Sequence, residues 1–447
     1  MIRALKADLG DKVSTSPSVL EGHGRDENYP LVHPPLAVVF VTSVADVQAT
    51  LAWAREHHIA VIPFGAGTSL EGNVVPQGPS ISLDLSRMNR VLTVRPADFL
   101  AIVEPGITRT ALHAALRDTG LFFPVDPGAD ASIGGMAATN ASGTTTVRYG
   151  GMRQNVAALE VVLANGEVLQ LGRGVRKTSS GYDLKGLFIG SAGTLGVITQ
   201  LTLHLHPIPE HIHTMRIFFS DVAQAAEAAY AIMAAALPVA RLELLDTLSM
   251  QAVNSHLNRS YAEQPALFLE FHSSTQKAIE AEAQVATELA QQAGATSIDL
   301  ARTQEDRLAQ WEARHNLYWA VSHRYPNRTY VVTDTAVPLS ALPDLVRFTG
   351  ELMAELHLEG SMIGHAGDGN IHTLVAVRRE EYQQAEELSN RLVERALSLG
   401  GTVTGEHGIG VTKRRFMAAE HGPALPWMRQ IKALFDPECI LNPGKIV

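Results

Sequence analysis

The sequence predicts an α+β protein of several domains, and three observations carry that expectation. Its 447 residues exceed what one ordinary core organises, which points to two or three domains. Short apolar runs of strand length alternate with longer segments whose apolar residues recur at helical spacing. Glycine is dense up to about residue 207 and falls away after it, and the two prolines of HPIPEH (206–211) mark the change. These features divide the chain into an N-terminal segment (1–33), a glycine-rich domain (34–209), a second α+β domain (210–412) and a helical C-terminal segment (413–447).

The elements follow in order. VADVQATLAWAREHHI (44–59) has the apolar spacing of a helix, AVIPF (60–64) is a short strand, and GAGTSLEG (65–72) breaks it. TRTALHAALRDTG (108–120) is a helix with Thr108 placed to cap its start and Gly120 to end it. LEVVLANGEVLQL (159–171) alternates on both sides of Asn165-Gly166, the dipeptide a type I′ hairpin turn prefers. Beyond the boundary come TMRIFF, a helix over 220–236, VARLELL, ALFLEFH, and helices over 275–293 and 303–323. Strands separated by helices that cover only one face predict an α+β domain with an antiparallel sheet. SMIGHAGDGNIHTLVAV reads as strand, turn, strand, and from about 411 short helices lead to LNPGKIV.

Composition excludes several classes of function. With 46% hydrophobic and 18% charged residues the chain folds. A formal charge of −10 gives no basic footprint for nucleic acid. The single cysteine, Cys439, allows no internal disulfide and suits a reducing compartment. The N-terminus lacks the pattern of a secretory or transit peptide, and no segment reaches the roughly 18 unbroken apolar residues of a membrane span. The expected location is the cytoplasm, with any membrane association peripheral and through a partner.

Three glycine-rich segments stand in the first half: GAGTSLEG (65–72), PGADASIGGMAATNASG (127–143) and GSAGTLGVIT (190–199). Glycines let backbone N–H groups converge on an anion. The first loop has neither the nicotinamide spacing with a following helix nor a Walker GK[ST]. Three weakly charged loops suit a large cofactor held by backbone, and flavin adenine dinucleotide (FAD) fits best. Later, GHAGDGNIH (364–372) brackets a turn with His365 and His372. Cβ atoms opposite each other on a hairpin lie about 5 Å apart, so two imidazoles there can converge on one ion. Such a pair alone is more often a hydrogen-bonded turn than a metal site. GEHGIG (405–410) offers a third ligand in Glu406, which gives the open donor set of a catalytic ion. On an extended segment His407 would diverge from Glu406 and stand available for proton transfer.

From HGRDE (23–27) through PFGAGTSLEG, FPVDPGADASIGGMAATNASG, SSGYDLKGLFIGSAGTLGVIT, WEARHN, GHAGDGNIH and GEHGIG to LNPGK, nearly the whole chain resembles one family. It is that of the flavin-linked D-lactate dehydrogenases of the cytochrome-dependent type, in the vanillyl-alcohol oxidase superfamily. Relatives there include D-2-hydroxyglutarate dehydrogenases and the glycolate oxidase D subunit. The resemblance implies a two-lobed PCMH-type FAD-binding domain, a substrate (cap) domain over the isoalloxazine ring, and a C-terminal helical tail returning to the flavin.

Carried over by position, Gly65, Ala66, Gly67, Thr68 and Ser69 wrap the pyrophosphate, with Pro63 and Gly72 at the ends of that loop. Gly134, Gly135, Asn140 and Gly143 line the ribityl and flavin side, Pro127, Gly128 and Ser132 are further cofactor contacts of the second loop, and Tyr149 beyond it is another. Gly193, Gly196 and Ile198 lie by the adenine and pyrophosphate half, and Asn442 reaches the flavin from the tail. Thr68 and Ser69 stand where many members of the superfamily carry a flavin-linked histidine, so the FAD is expected to be non-covalent.

The resemblance also implies that His365, His372 and Glu406 bind a divalent metal, zinc or manganese. Arg314 clamps the substrate carboxylate, Asn370 adds a polar contact and His407 is the base. The implied reaction oxidises a D-2-hydroxy acid, with D-lactate favoured over 2-hydroxyglutarate and glycolate. With no C-x-x-C-H and no Fe–S cysteine set, the electrons pass to an external cytochrome, quinone or electron-transfer flavoprotein. The oligomeric state, a homodimer included, stays open. Three rival readings are a flavin-dependent alkyl-glycerone-phosphate synthase, against which Glu406 speaks, a metallohydrolase, and a non-catalytic flavin subunit.

Overall fold

The computed structural model describes residues 1–447, which form two compact units. The first comprises residues 1–142, 150–208 and 406–447; the second comprises 143–149 and 209–405. Two short stretches fall differently from the sequence division: 143–149 joins the second unit, and 406–412 joins the first.

The first unit contains two main sheets. In one, Ala37–Phe40, Ser80–Asp84 and Ala60–Phe64 are parallel, with Val13–Ser14 antiparallel at the edge. Helix Val44–His57 carries the chain from Ala37–Phe40 to Ala60–Phe64, the two parallel strands that flank Ser80–Asp84. Ser43 Oγ accepts from Asp46 N at 3.2 Å to start this helix, and left-handed His58 ends it. The other sheet is antiparallel, in the order Val91–Arg95, Leu100–Val103, Val197–His204, Val156–Val162, Val168–Gly172. Each sheet has its own apolar cluster. The chain end returns to the first sheet: Val61 N donates to Ile440 O at 2.7 Å, and Asn442 N to Val61 O at 2.9 Å.

Two local expectations need correction here. Thr108 does cap its helix, accepting from Ala111 N at 3.2 Å, but the helix stops at Leu116, short of Gly120. The hairpin turn is not type I′, because Gly166 has a positive φ (85°) and Asn165 does not. Asn165 instead uses its side chain, accepting from Glu167 N at 2.9 Å, the local bond that stabilises an Asx turn.

The second unit is built on an antiparallel sheet of eight strands. Its path runs Ala295–Leu300, His211–Phe219, Ala266–Ser273, Val239–Leu245, Glu359–His365, Asn370–Val377, Thr329–Val332, with Thr335–Ala336 also paired to Asn370–Val377. Helices cover both faces, not one as the spacing predicted. Val222–Ala234, Gln276–Gln292, Leu342–Glu355 and Tyr382–Ser398 pack on the face of Met215, Leu242, Leu269 and Phe271. Thr247–Leu257, Gln304–His315 and Leu317–Arg324 pack on the face of Phe218, Leu245 and Phe268. The single helix expected over 303–323 is broken at Asn316, whose backbone N–H and side-chain Nδ2 both donate to Glu312 O at 3.0 Å.

Strand alternation loads the second face with polar side chains. Register places Glu270, Arg241, Glu243, His365 and His372 on it together. The inserted segment is tied to this unit by Arg148, which donates to Pro238 O at 2.6 Å, and by Tyr149, whose hydroxyl lies 2.7 Å from His272 Nδ1.

Gly196, expected among the flavin contacts, is required by packing. A Cβ there would lie 2.5 Å from Val161 Cγ1 and 2.9 Å from the Phe188 ring, so neighbours must shift to accept it. Gly196→Ala is expected to destabilise the protein by about 1–3 kcal/mol, the usual cost of overpacking. Thermal unfolding checks this; an unchanged Tm would contradict it.

Candidate active site

His365 ends strand Glu359–His365 and pairs with Asn370, whereas His372 pairs with Ile363. The two histidines are therefore diagonal neighbours on one face, with ring centroids 5.4 Å apart and edge to face. Both are buried, at 6% and 4% exposure. His365 Nδ1 lies 2.7 Å from Glu243 Oε1, and His372 Nδ1 lies 3.2 Å from Thr333 O. With each Nδ1–H so directed, Nε2 is the nitrogen that carries a lone pair for a ligand. Glu406, the third candidate ligand, opens the last stretch of the first unit, one peptide bond beyond Gly405. Two imidazole nitrogens and a carboxylate fit zinc or manganese with positions left open.

Arg314 is no solvated helix arginine. Its side chain is 12% exposed, and Nε donates to Glu243 Oε2 at 2.8 Å. Burial alone would raise the Glu243 carboxyl, but the charges and hydrogen bonds of His365 and Arg314 outweigh it and hold the group down at about 2. Asn370 is buried and has committed its amide nitrogen, which donates to Asp334 Oδ1 at 2.7 Å and Thr335 O at 2.8 Å.

His407 belongs to the first unit. The segment around it is bent rather than extended, with Gly408 at φ 79°, which corrects the expectation of divergence along a strand. His407 lies outside the ligand group, and its Nδ1 faces Glu71 Oε1 at 3.6 Å. Glu71 also meets Lys413 Nζ at 3.0 Å and accepts from the Thr412 hydroxyl. Burial works to raise Glu71, but Lys413 first and His407 after it bring the carboxyl below its ordinary range. Asn73 Nδ2 donates to His407 O at 3.0 Å.

The glycine loops of the same unit converge. A Cβ on Gly65 would fall 2.1 Å from Ser132 Oγ, so the first two loops approach as only glycine allows. Asn442 bridges the first loop's end to the third, donating to Asn73 O at 3.0 Å and Ala192 O at 2.7 Å. Ser132 Oγ, Asn73 Oδ1 and Asn442 Oδ1 are buried with no protein partner, which fits a polar cofactor held among these loops. Three expected contacts are otherwise engaged: Ser69 Oγ donates to Asp26 at 2.8 Å, Asn140, at φ 55°, caps helix Ile133–Thr139 and accepts from Arg153 N at 3.1 Å, and the Tyr149 hydroxyl lies 2.7 Å from His272 Nδ1.

Sequence reasoning missed Glu243, Glu71 and Asp26. Glu243 had a signal, since VARLELL places charges at alternate positions of an otherwise apolar strand that must be buried. Glu71 is a lone acid inside a glycine loop, which spacing cannot interpret. Asp26 stands 43 residues from Ser69, beyond any local pattern.

Asp26 gives a pH dependence. Burial, partly offset by hydrogen bonds from Ser69, Asn28 and Gly72, raises its carboxyl from 3.8 to about 6. A raised acid contributes stability that is full below about 3.8 and is lost as pH rises through about 6. At roughly 1.4 kcal/mol per pH unit this amounts to up to ~3 kcal/mol. Asp26→Asn is expected to flatten that part of the stability profile between pH 4 and 6, as read by urea unfolding; an unaltered profile would refute it.

Residues 35–172 match the family described as "FAD binding domain", and 208–446 match "FAD linked oxidases, C-terminal domain". A Danio rerio protein named "Probable D-lactate dehydrogenase, mitochondrial" is 42% identical over 100% of this chain and 91% of its own length. A D-2-hydroxyglutarate dehydrogenase of Xanthomonas citri pv. viticola is 33% identical over 97% of this chain and 94% of its own. A solved structure of alkyldihydroxyacetonephosphate synthase superposes with TM-score 0.78 over 100% of this chain and 85% of that one, but at 19% identity it shares only the fold. The chain belongs to the FAD-linked oxidase family that includes the D-lactate, D-2-hydroxyglutarate and glycolate enzymes, and it is an FAD-dependent dehydrogenase of that kind.

Proposed function

We propose that the protein oxidises a D-2-hydroxy acid, D-lactate foremost, to the 2-oxo acid, using non-covalent FAD and a divalent cation at His365, His372 and Glu406. The observation that carries this reading is the pair of buried histidines, His365 and His372, with the Glu243–Arg314 ion pair joined to it through His365. When bound, FAD supplies a hydride acceptor and the cation a Lewis acid for the substrate hydroxyl.

The chain's own residues do the rest. Arg314 engages Glu243 through Nε, which leaves its terminal nitrogens as a fork for the substrate carboxylate. His407 takes the hydroxyl proton, with Glu71 facing its Nδ1 and directing the ring. A second substrate carboxylate would need another cation. The nearest candidate by register, Arg241, already lies 3.7 Å from Glu270 and 4.7 Å over the Trp311 ring, which favours a monocarboxylate such as lactate. The relative named as a D-lactate dehydrogenase supports the same choice. Cys439 is the sole cysteine, so electrons leave to an external cytochrome, quinone or electron-transfer flavoprotein.

Anaerobic addition of D-lactate is expected to bleach the flavin bands, whereas L-lactate does not. EDTA treatment abolishes the bleaching, and manganese or zinc restores it. A bound flavin that D-lactate leaves oxidised, or one reduced equally well after EDTA, would overturn the reading; bleaching by D-2-hydroxyglutarate or glycolate alone would reassign the substrate. His407→Gln is expected to lower kcat by about 10²-fold or more with a smaller change in KM. Steady-state kinetics with a dye acceptor check it.

A further inference from the structure

We propose that Glu243 is a positioning residue that sets the metal ligand His365 and the substrate-binding Arg314 in register, with one carboxylate oxygen for each. The inference rests on the proposed function. Glu243 lies within strand Val239–Leu245, paired on one side with Phe268 and on the other with His365. It is 0% exposed. Oε1 faces His365 Nδ1 at 2.7 Å, and Oε2 accepts from Arg314 Nε at 2.8 Å. His365 comes from the neighbouring strand and Arg314 from helix Gln304–His315, so one side chain ties two separate elements together.

Each bond has a chemical consequence. Donation of Nδ1–H to a carboxylate fixes the imidazole tautomer with its Nε2 lone pair available and makes that nitrogen a stronger donor to a cation. The bond to Nε holds the guanidinium plane in one orientation. A 2-hydroxy acid carries its hydroxyl and carboxylate on adjacent carbons, so it demands a fixed relation between the ion and the arginine, and Glu243 provides one. Another buried carboxylate on this sheet face, Glu270, makes a useful contrast. It meets Trp311 Nε1 at 2.6 Å, Thr214 Oγ1 at 3.0 Å and His272 Nε2 at 2.8 Å, and none of these is an expected ligand.

Both partners of Glu243 are donors. In Glu243→Gln the amide oxygen can serve one of them, and the NH2 is turned against the other. Flavin-loaded protein is stripped with EDTA and titrated with Mn2+, the free ion being read by EPR; kcat and KM for D-lactate are then measured at saturating Mn2+. Glu243→Gln is expected to bind Mn2+ about 10- to 100-fold more weakly, the range for loss of a group that orients a ligand. Its KM is expected to rise by a larger factor than kcat falls. Glu270→Gln keeps wild-type Mn2+ affinity.

Wild-type Mn2+ affinity and KM in folded Glu243→Gln would overturn the proposal, as would an equal loss of Mn2+ affinity in Glu270→Gln. Should Glu243→Gln not fold, Glu243→Asp retains the charge but is a methylene too short to reach both donors. It must then show weaker Mn2+ binding or a higher KM, and wild-type values of both would refute the role. Wild-type protein that binds no Mn2+, or is not reduced by D-lactate, overturns the functional reading itself, whereas a working wild type with an unaffected Glu243→Gln removes only the role of Glu243.

Discussion

Buried charge on one face of an antiparallel sheet is the constraint from which the second unit follows. Helices cover both faces, so a charged side chain that points inward has no water to answer it and must find an opposite charge or a hydrogen-bond partner. Removing one member of such a pair costs on the order of 3–5 kcal/mol, a large share of a domain's stability. The sheet meets this demand by alternation. Arg241 opposes Glu270 on the adjacent strand, Glu243 opposes His365 on the other side, and helix Gln304–His315 adds Trp311 to the first pair and Arg314 to the second. The same pairing that makes burial tolerable fixes the directions of His365 and Arg314, so stability and site geometry are one problem here.

The first unit meets a different demand by different means. Its glycine loops carry few charges and bring main-chain and neutral polar atoms together, as at Gly65 beside Ser132 and Asn442 across Asn73 and Ala192. That chemistry suits a large cofactor with many weak contacts. The one strongly charged node in these loops is Glu71, held by Lys413 and facing His407. Val411 N donates to Glu71 O at 2.7 Å as well, so both the backbone and the side chain of this residue fix the 406–413 segment.

Local chemistry made part of this legible from sequence. Helix Val44–His57 and strand Ala60–Phe64 follow from apolar spacing and turn residues, and Thr108 capped as its type and position required. The loops and the histidine turn were readable because glycine and histidine are informative residue types at short spacing. What escaped depends on contacts distant in sequence. Spacing could not show that helices lie on both sheet faces, because the second layer comes from segments far along the chain. Nor could it pair Glu243 with His365, 122 residues away, or Asp26 with Ser69. Asn165-Gly166 failed more locally: the asparagine had a side-chain bond available that the dipeptide rule ignores.

This division of labour bears on how substrate preference can differ among relatives that share the fold. The glycine loops of the first unit rest on close backbone approach and neutral polar atoms, and a Cβ at Gly65 collides with a neighbouring loop. Those positions have little freedom. The ligands of the proposed ion site would be equally fixed, since donor type and direction define such a site. Arg241 and its surroundings are not bound by either requirement. Arg241 lies 3.7 Å from Glu270 and 4.7 Å over the Trp311 ring, so replacing Glu270 by a neutral residue would remove one counter-charge from the sheet face that also bears Glu243 and His365. Less counter-charge there favours a second carboxylate, and more of it disfavours one. Under the proposed function, discrimination between mono- and dicarboxylic hydroxy acids turns on this one buried pair, apart from the residues proposed to hold flavin and metal.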